Sequence, residues 1–146
     1  MERSKGGYST KLHLRGEGRG KPITWVLTGG QRQEATQAEA LLEHGAVGRP
    51  SGQTRLRPDR VAGDKGYTGR KIRRYLRRRG IGAVIPRLRK EPRWNVRFDG
   101  AAYRRRKRVE RLINRLKQFR AVATRYDKLA VCFHATVTLA AIRLWL

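Results

Sequence analysis

The chain is poor in acidic residues, has a single cysteine and contains no long uninterrupted apolar run. Because Cys132 stands alone, a disulfide framework and a zinc site built from several thiolates are both excluded. Residues 2–5 are Glu-Arg-Ser-Lys, so no apolar segment of a secretory signal follows Met1. We therefore expect the chain to stay in the cytoplasm or at the nucleoid.

The most apolar stretch runs from Leu129 to Leu146. It contains His134, two threonines and Arg143, and it falls short of the roughly 20 apolar residues that a helix needs to cross a bilayer. This stretch predicts a core helix, and we expect no membrane partner.

Positive charge is what the chain has in excess. Lys and Arg number 36 against 11 Asp and Glu, so the net charge is +25. A monomer this basic repels itself strongly unless a polyanion is present. The charge therefore argues against an enzyme of small neutral substrates and favours a protein that binds nucleic acid. Hydrophobic residues make up 38% of the 146, enough for one core, so we expect residues 1–146 to form a single domain.

The order of the predicted elements indicates an α/β domain. After a loose start, the predicted strands are short apolar or alternating runs, at Lys11–Leu14, Pro22–Thr28, Val61–Asp64 and Ala83–Ile85. The predicted helices have apolar residues on one face; they run from the Thr36–Glu39 capping box to Gly45, from Thr68 to Arg79, over 100–120, and from Leu129 onward. A basic loop is expected over 87–98.

Glycine and threonine mark the ends of these elements. The glycine-rich stretch 16–20 predicts a turn between the first two strands, since no helix follows it as a phosphate-binding loop requires. Thr68 is expected to cap the second helix, and Gly80 to end it. The outer face of this helix is expected to be basic, with Arg70, Lys71, Arg73, Arg74, Arg77 and Arg78; the inner face comprises Ile72, Tyr75 and Leu76.

Asp64 is one of two carboxylates whose position suggests a role. It ends an apolar strand and begins the segment Asp64–Tyr67. Ligands and catalytic groups of open α/β sheets gather at the carboxyl ends of strands, and Gly63 and Gly66 leave room for a close approach by a backbone or a ligand. The alternative interpretation is that Asp64 only makes a turn or pairs with Lys65.

Glu110 is the second such carboxylate. On a continuous helix over 100–120, at about 100° per residue, an arc of about 60° contains four polar side chains, Tyr103, Arg106, Glu110 and Lys117. This stripe borders the apolar face, formed by Val109, Leu112, Ile113, Leu116 and Phe119. In a phosphodiester-handling site, the carboxylate would hold a metal, and the cations and the phenol would hold phosphate oxygens. The alternative is an Arg106–Glu110 ion pair worth a few tenths of a kcal/mol.

The spacing Tyr103-x2-Arg106-x3-Glu110-x6-Lys117 resembles the Tyr-Arg-Glu-Lys signature of bacterial insertion-sequence transposases of the DDE type. Segments 64–67, 115–120 and 123–129 are similar to the same family, and so is the opening from 4 to 13. The resemblance covers essentially the whole chain. It implies a ribonuclease H-like fold, with a mixed, mostly parallel central sheet and flanking helices.

The resemblance also implies roles for particular residues. Two divalent metal ions, normally Mg²⁺, would be held by three acidic residues, with Asp64 as the second Asp and Glu110 as the Glu. Arg106 and Lys117 would contact the transposon-end DNA. Tyr103 would position a phosphate or a base, and Lys65, beside Asp64, is a further candidate DNA contact.

The chemistry that the resemblance implies is cleavage of DNA and transfer of the cut strand. Two metal ions clamp the attacking and leaving oxygens, and hard cations prefer carboxylate ligands to His or Cys. Water would attack first, and the freed 3′-hydroxyl would then join target DNA without a covalent enzyme–DNA intermediate. We expect such an enzyme to act as a homo-oligomer on transposon ends and target DNA.

The chain departs from the family pattern at its start. The family's first Asp lies on a strand before the hairpin, whereas here only Glu2 precedes it. We therefore expect a domain whose first strand is missing, either the downstream half of a split transposase or a truncated remnant. In the first case an upstream product of the same element would supply the first Asp. The fragment alone is expected to bind metal weakly and to catalyse poorly.

A non-catalytic basic nucleic-acid-binding protein is the competing interpretation. The charge supports it equally, because phosphate contacts alone explain 36 cations. The pair Asp64 and Glu110 separates the two interpretations, since acids near the centre of a basic face would repel phosphate.

Overall fold

The structure, a computed structural model, describes residues 3–4, 7–8, 10–32, 34–48, 51–55, 57–87, 89 and 98–146. The chain divides into two compact units, one formed by Met1–Arg32 with Lys107–Leu146 and the other by Gln33–Arg106. Both units contain strands and helices, so the chain is a mixed α/β protein, as the order of elements predicted.

A β-hairpin forms the base of the first unit. Strands β3 (Thr10–Gly16) and β4 (Pro22–Gly29) pair antiparallel, which confirms the predicted hairpin. Before it, β1 (Arg3–Ser4) and β2 (Gly7–Tyr8) also pair antiparallel, so the expectation of a loose start is wrong. Strands of two residues are too short for an alternating pattern to reveal them.

The glycine-rich stretch is a turn, as predicted. The Glu17 carboxylate oxygen Oε1 accepts hydrogen bonds from the backbone N–H groups of Arg19 and Lys21, at 2.8 and 3.0 Å. Gly16 leaves room for a neighbouring side chain, because a Cβ there would lie only 3.0 Å from Cδ2 of Leu112. The turn therefore both reverses the chain and lets a helix approach the hairpin closely.

Two helices, α4 (Lys107–Lys117) and α6 (Ala130–Trp145), pack on this hairpin, and α5 (Arg120–Thr124) packs against both helices. The buried core comprises Leu112, Leu116, Val122, Phe133, Val137 and Ala140. It packs against side chains of both hairpin strands, Leu12, Leu14, Trp25 and Leu27. At the end of α6, the Trp145 indole Nε1 donates a hydrogen bond to the carbonyl of Pro22 at 2.7 Å.

Only one face of α6 is buried, so the prediction of a core helix is confirmed for that face alone. Phe133, Val137, Ala140 and Ala141 are buried, whereas the opposite face exposes apolar side chains, among them Val131, Leu139, Ile142 and Leu146. The hairpin and its neighbouring helices cover one face of a helix that is apolar nearly all round. Within the ranges that the structure describes, no helix has the length and apolar character that a membrane crossing requires.

The second unit contains a β-α-β crossover. Strand β7 (Arg60–Ala62) pairs parallel with β8 (Gly82–Val84), and α2 (Arg70–Arg78) connects them. The core of this unit comprises Ala38, Leu42, Ile72, Tyr75, Leu76, Ile81 and Ile85, which confirms the predicted inner face of α2. The strand was expected to be buried, but Val61 is only half-buried and Ala62 is exposed.

Smaller elements complete this unit. Helix α1 (Ala38–Glu43) packs its buried face into the core, and α3 (Gly100–Arg104) precedes the first helix of the other unit. Strands β5 (Val47–Gly48) and β6 (Thr54–Arg55) pair antiparallel between α1 and β7. Most of the predicted basic loop over 87–98, namely residues 88 and 90–97, lies outside the described residues.

Glycines end two helices as predicted. Gly45 follows α1 with φ +85°, and Gly80 follows α2 with φ +63°. After α2, the N–H of Ile81 donates to the carbonyl of Leu76 at 2.8 Å, and the N–H of Gly80 donates to that of Arg77 at 3.0 Å. These two bonds form a Schellman motif, which satisfies carbonyls that the helix end leaves open.

Neither threonine cap forms. Gly69 occupies the N-cap of α2, and the Thr68 hydroxyl instead accepts a hydrogen bond from Nη2 of Arg73 at 2.9 Å. Thr36 ends a short 3₁₀ helix, and its hydroxyl accepts from the Gln37 side chain at 3.2 Å. Neither hydroxyl therefore caps the first turn of its predicted helix.

The predicted continuous helix over 100–120 is wrong, because α3 and α4 are separate helices within it and α5 begins at its last residue. Between α3 and α4, the N–H groups of Arg105 and Arg106 donate to carbonyls three residues back, at 3.2 and 2.9 Å. This break lies within five consecutive cations, 104–108, whose repulsion disfavours a continuous helix. A second break precedes α5, where Phe119 has an extended backbone.

The described strands pair as four two-stranded sheets. The mixed α/β class is therefore established, while the ribonuclease H-like arrangement of a central sheet stays a prediction. The organisation of residues 1–146 as one domain truncated at its start also stays a prediction.

Truncating Leu112 tests the core of the first unit. Leu112 is completely buried, so we expect Leu112→Ala to lower the free energy of unfolding by about 2–5 kcal/mol. Leu139→Ala is the matched control, because Leu139 is 69% exposed on α6 and its loss is expected to cost under about 0.5 kcal/mol. Urea denaturation followed by circular dichroism measures both; similar losses would contradict the assigned core.

Candidate functional site

Asp64 lies where a functional carboxylate of an α/β fold is expected, just beyond the carboxyl end of β7. It is exposed, and its Oδ1 accepts a hydrogen bond from the Gly66 N–H at 2.9 Å. The alternative that Asp64 makes a turn is thus observed. Its second oxygen, Oδ2, makes no hydrogen bond or ion pair with any residue that the structure describes. The turn therefore fixes the carboxylate and leaves one oxygen open.

Arg73 links the segment that follows Asp64 to the chain that leaves β8. Its Nη2 donates to Thr68 Oγ1 at 2.9 Å and to the carbonyls of Ile85 and Pro86 at 3.0 and 3.2 Å. Arg73 was expected on the outer basic face of α2, which is wrong, because it is half-buried and links α2 to the chain that leaves β8. The alternation of Arg and apolar residues gave no signal for this inward side chain.

At Gly63 no contact with a described residue requires glycine, so the expected close approach by a backbone or a ligand stays a prediction. A Cβ there would lie 3.4 Å from Cβ of Tyr67 and 3.5 Å from Cγ1 of Ile85. The neighbours are therefore side chains of the same unit, and they hold the strand end close to the turn that contains Asp64.

Tyr103 and Arg106 lie together. The Arg106 guanidinium carbon is 5.2 Å from the Tyr103 ring centroid, and the Phe98 ring lies 5.3 Å away on a tilted plane. Cation–π attraction at this distance is worth about 0.5–1 kcal/mol when exposed. The phenol is thus held among neighbours, as a residue that positions a ligand requires.

Asp99 caps α3, the helix that contains Tyr103, and it was not singled out from the sequence. Its Oδ1 accepts from the N–H of Ala102 at 2.8 Å, and its Oδ2 pairs with Nη1 of Arg60 at 2.9 Å. The Ala102 N–H, with a smaller contribution from Arg60, lowers the pKa of the Asp99 carboxyl. An Asp immediately before a helix is a common N-cap, so the signal was present in the sequence.

Glu110 and Lys117 lie on α4, two turns apart. A separation of seven residues places them on the same face, and both are exposed, while Leu112 and Leu116 are buried. Glu110 lies in the first turn, where the helix dipole favours a carboxylate. The Arg108 guanidinium donates to the carbonyl of Gly18, which fixes the start of α4 on the hairpin turn.

The candidate residues fall into both units. Asp64, Lys65, Tyr103 and Arg106 belong to the second unit, and Glu110 and Lys117 to the first. The arc of about 60° for Tyr103, Arg106, Glu110 and Lys117 assumed one continuous helix over 100–120, and the break before α4 invalidates that calculation. Convergence of Asp64 and Glu110 on shared cations therefore stays a prediction.

The donor chemistry of the two carboxylates fits a hard divalent cation, because both are exposed and offer oxygen ligands. Within the described ranges, no group of three or more His, Cys, Asp or Glu residues is placed to hold a metal ion. Asp64 and Glu110 are the candidate ligands.

Replacing Arg73 tests how the Asp64 segment is fastened. Arg73→Lys keeps the charge but loses the planar guanidinium, so we expect the free energy of unfolding to fall by about 1–3 kcal/mol. Arg74→Lys on the exposed side of the same helix is the control, with an expected change under about 0.5 kcal/mol. Urea titrations compare the two variants, and equal stabilities would show that the Arg73 hydrogen bonds contribute nothing.

Comparison with known proteins gives one match. A family model described as the transposase DDE domain matches residues 2–145. Neither the curated proteins nor the solved structures yield a match. The resemblance first seen in the spacing from Tyr103 to Lys117 is thereby confirmed over nearly the full length of the sequence: the chain belongs to the transposase DDE domain family.

Proposed function

We propose that this chain is the catalytic portion of an insertion-sequence transposase, which binds DNA and catalyses metal-dependent cleavage and transfer of DNA strands. The family match over residues 2–145 is the observation that carries the proposal. The position of Asp64 beyond a parallel strand supports it, because that is where α/β enzymes place reacting groups. The proposed substrates are transposon ends and target DNA, bound by a homo-oligomer.

Asp64 and Glu110 are the proposed metal ligands, with Mg²⁺ as the proposed ion. Bound divalent ions would stabilise the charge that develops on attacking and leaving oxygens. Asp64 suits this role because the Gly66 N–H holds one carboxylate oxygen in place and leaves the other for a cation. Glu110 offers an exposed carboxylate at the start of a helix that is anchored on the hairpin turn.

Four residues are proposed to contact DNA, namely Lys65, Tyr103, Arg106 and Lys117. Lys65 is an exposed cation next to Asp64, and Lys117 is an exposed cation on the same face of α4 as Glu110. Tyr103 is held between Phe98 and Arg106, which favours a positioning role over that of a mobile nucleophile. Hydrolysis followed by attack of a DNA 3′-hydroxyl needs no covalent tyrosine intermediate.

The proposed ligands are tested by removing one carboxylate at a time from the transposase that contains this chain. We expect Asp64→Asn or Glu110→Gln to reduce cleavage of transposon-end DNA by at least about 100-fold, because each loses a metal ligand. Binding to random duplex should stay within about twofold, since phosphate contacts by Lys and Arg are kept. Gel assays with Mg²⁺ measure cleavage, and chelation by EDTA should abolish it.

Asp59→Asn is the matched control for these variants. Asp59 is an exposed carboxylate of the same unit as Asp64 and pairs with Arg55, so cleavage should stay close to that of the wild type. Intact cleavage in the two ligand variants, together with lost DNA binding, would refute the metal-ligand assignment and favour a non-catalytic nucleic-acid-binding protein.

Lys117 is tested by comparing two kinds of DNA. We expect Lys117→Ala to weaken binding to transposon ends about tenfold more than binding to random duplex, because the contact depends on the specific register of the protein on its end. Arg120→Ala removes a nearby exposed cation and should weaken binding to both DNAs alike. Fluorescence anisotropy gives the affinities; an equal loss for Lys117→Ala would make it a general phosphate contact.

A further inference from the structure

We propose that the outer face of α2 is a docking surface for the phosphate backbone of duplex DNA, additional to the proposed ligands and signature residues. This inference rests on the proposed function and adds a second contact region to it. The face contains five exposed cations within an arc of about 120°, Arg70, Lys71, Arg74, Arg77 and Arg78. The helix itself contains no acidic residue.

The charges on this face oppose the stability of the helix. Arg70, Arg74 and Arg78 are spaced four residues apart, and like charges at this spacing destabilise a helix by a few tenths of a kcal/mol per pair. In the part of the chain that the structure describes, none of these three side chains makes an ion pair. Two acids of α1 contact the helix: Glu39 pairs with Lys71 at 3.7 Å, and Glu43 accepts a hydrogen bond from the Tyr75 hydroxyl at 3.4 Å. A bound polyanion would offset this repulsion.

The inner face holds the surface rigidly. Ile72, Tyr75 and Leu76 are only 3%, 6% and 1% exposed, and the Schellman motif around Gly80 closes the helix end. The cations therefore project from a fixed scaffold, so little backbone order has to be gained on binding. A rigid row of charges is what a regular polyanion can match.

The dimensions and residue type favour nucleic acid as that polyanion. From Arg70 to Arg78 the helix rises about 12 Å, which equals the axial rise of three to four phosphates on one DNA strand, at about 3.4 Å each. Arginine predominates, and its guanidinium matches phosphate with two parallel hydrogen bonds. Phosphate contacts of this kind position a protein on duplex without reading its sequence.

The experiment compares two triple variants of the full chain with equal net charge. The α2 variant, Arg70→Gln/Arg74→Gln/Arg78→Gln, removes three cations from the outer face of α2. The scattered variant, Arg19→Gln/Arg120→Gln/Lys128→Gln, removes three exposed cations from the other unit. Affinity for a random-sequence duplex is measured by fluorescence anisotropy over a range of salt concentrations. Circular dichroism and urea titration establish that both variants are folded.

We expect the α2 variant to reduce the slope of log K against log salt by about 2–3, since each lost phosphate contact removes about 0.9. The scattered variant should change the slope by less than about 1. Equal changes in the two variants would overturn the proposal, because bulk charge would then explain binding. An unchanged slope for the α2 variant would also overturn it.

The outcome is separable from that of the proposed function. If the α2 variant keeps the wild-type slope while Asp64→Asn still loses cleavage, the docking surface is wrong and the transposase proposal stands. If the slope falls but cleavage does not depend on Asp64 and Glu110, the surface binds DNA and the proposed chemistry is wrong.

Discussion

The parallel pairing of β7 with β8 is the constraint on which the second unit depends. Parallel neighbours need a crossover connection, and here α2 supplies it. Burial of Ile72 and Leu76 against the unit core fixes the rotation of that helix, which turns its cations outward. The same pairing ends β7 at Ala62, two residues before Asp64 and its turn. One packing arrangement therefore places both the candidate carboxylate and the basic face.

Sequence patterns predicted those features of the fold that depend on near neighbours. The alternation in β3 and β4, the inner face of α2 and the terminating role of Gly80 all follow from side chains within a few residues of one another. The capping residues were predicted wrongly because Thr68 bonds to a guanidinium from the next helical turn. The half-buried position of Arg73 could not be predicted, because its acceptors, the carbonyls of Ile85 and Pro86, follow it by 12 and 13 residues in the sequence.

The candidate site was predictable to the extent that it depends on strand ends and motif spacing. The place of Asp64 could be derived, because an apolar run ending on a carboxylate is a local signal. The common stripe of Tyr103 and Glu110 could not be derived in this way, since it assumed one helix through five consecutive cations. The spacing itself led to the right family, because a family signature records residue order and does not require a continuous helix.

The scarcity of acids gives the position of Asp64 its significance. In a protein that only held DNA, the exposed carboxylate of Asp64 would form its turn with the Gly66 N–H but would also repel phosphate. The carboxylate would be tolerated if a neighbouring cation neutralised it, but in the described part of the chain Asp64 bonds to the Gly66 N–H and makes no ion pair. A divalent ion would turn that repulsion into attraction, since it binds carboxylate and phosphate oxygens together. An exposed acid without an ion pair among the described residues, in a chain of charge +25, therefore supports the proposed metal-dependent chemistry on DNA over the alternative of DNA binding alone.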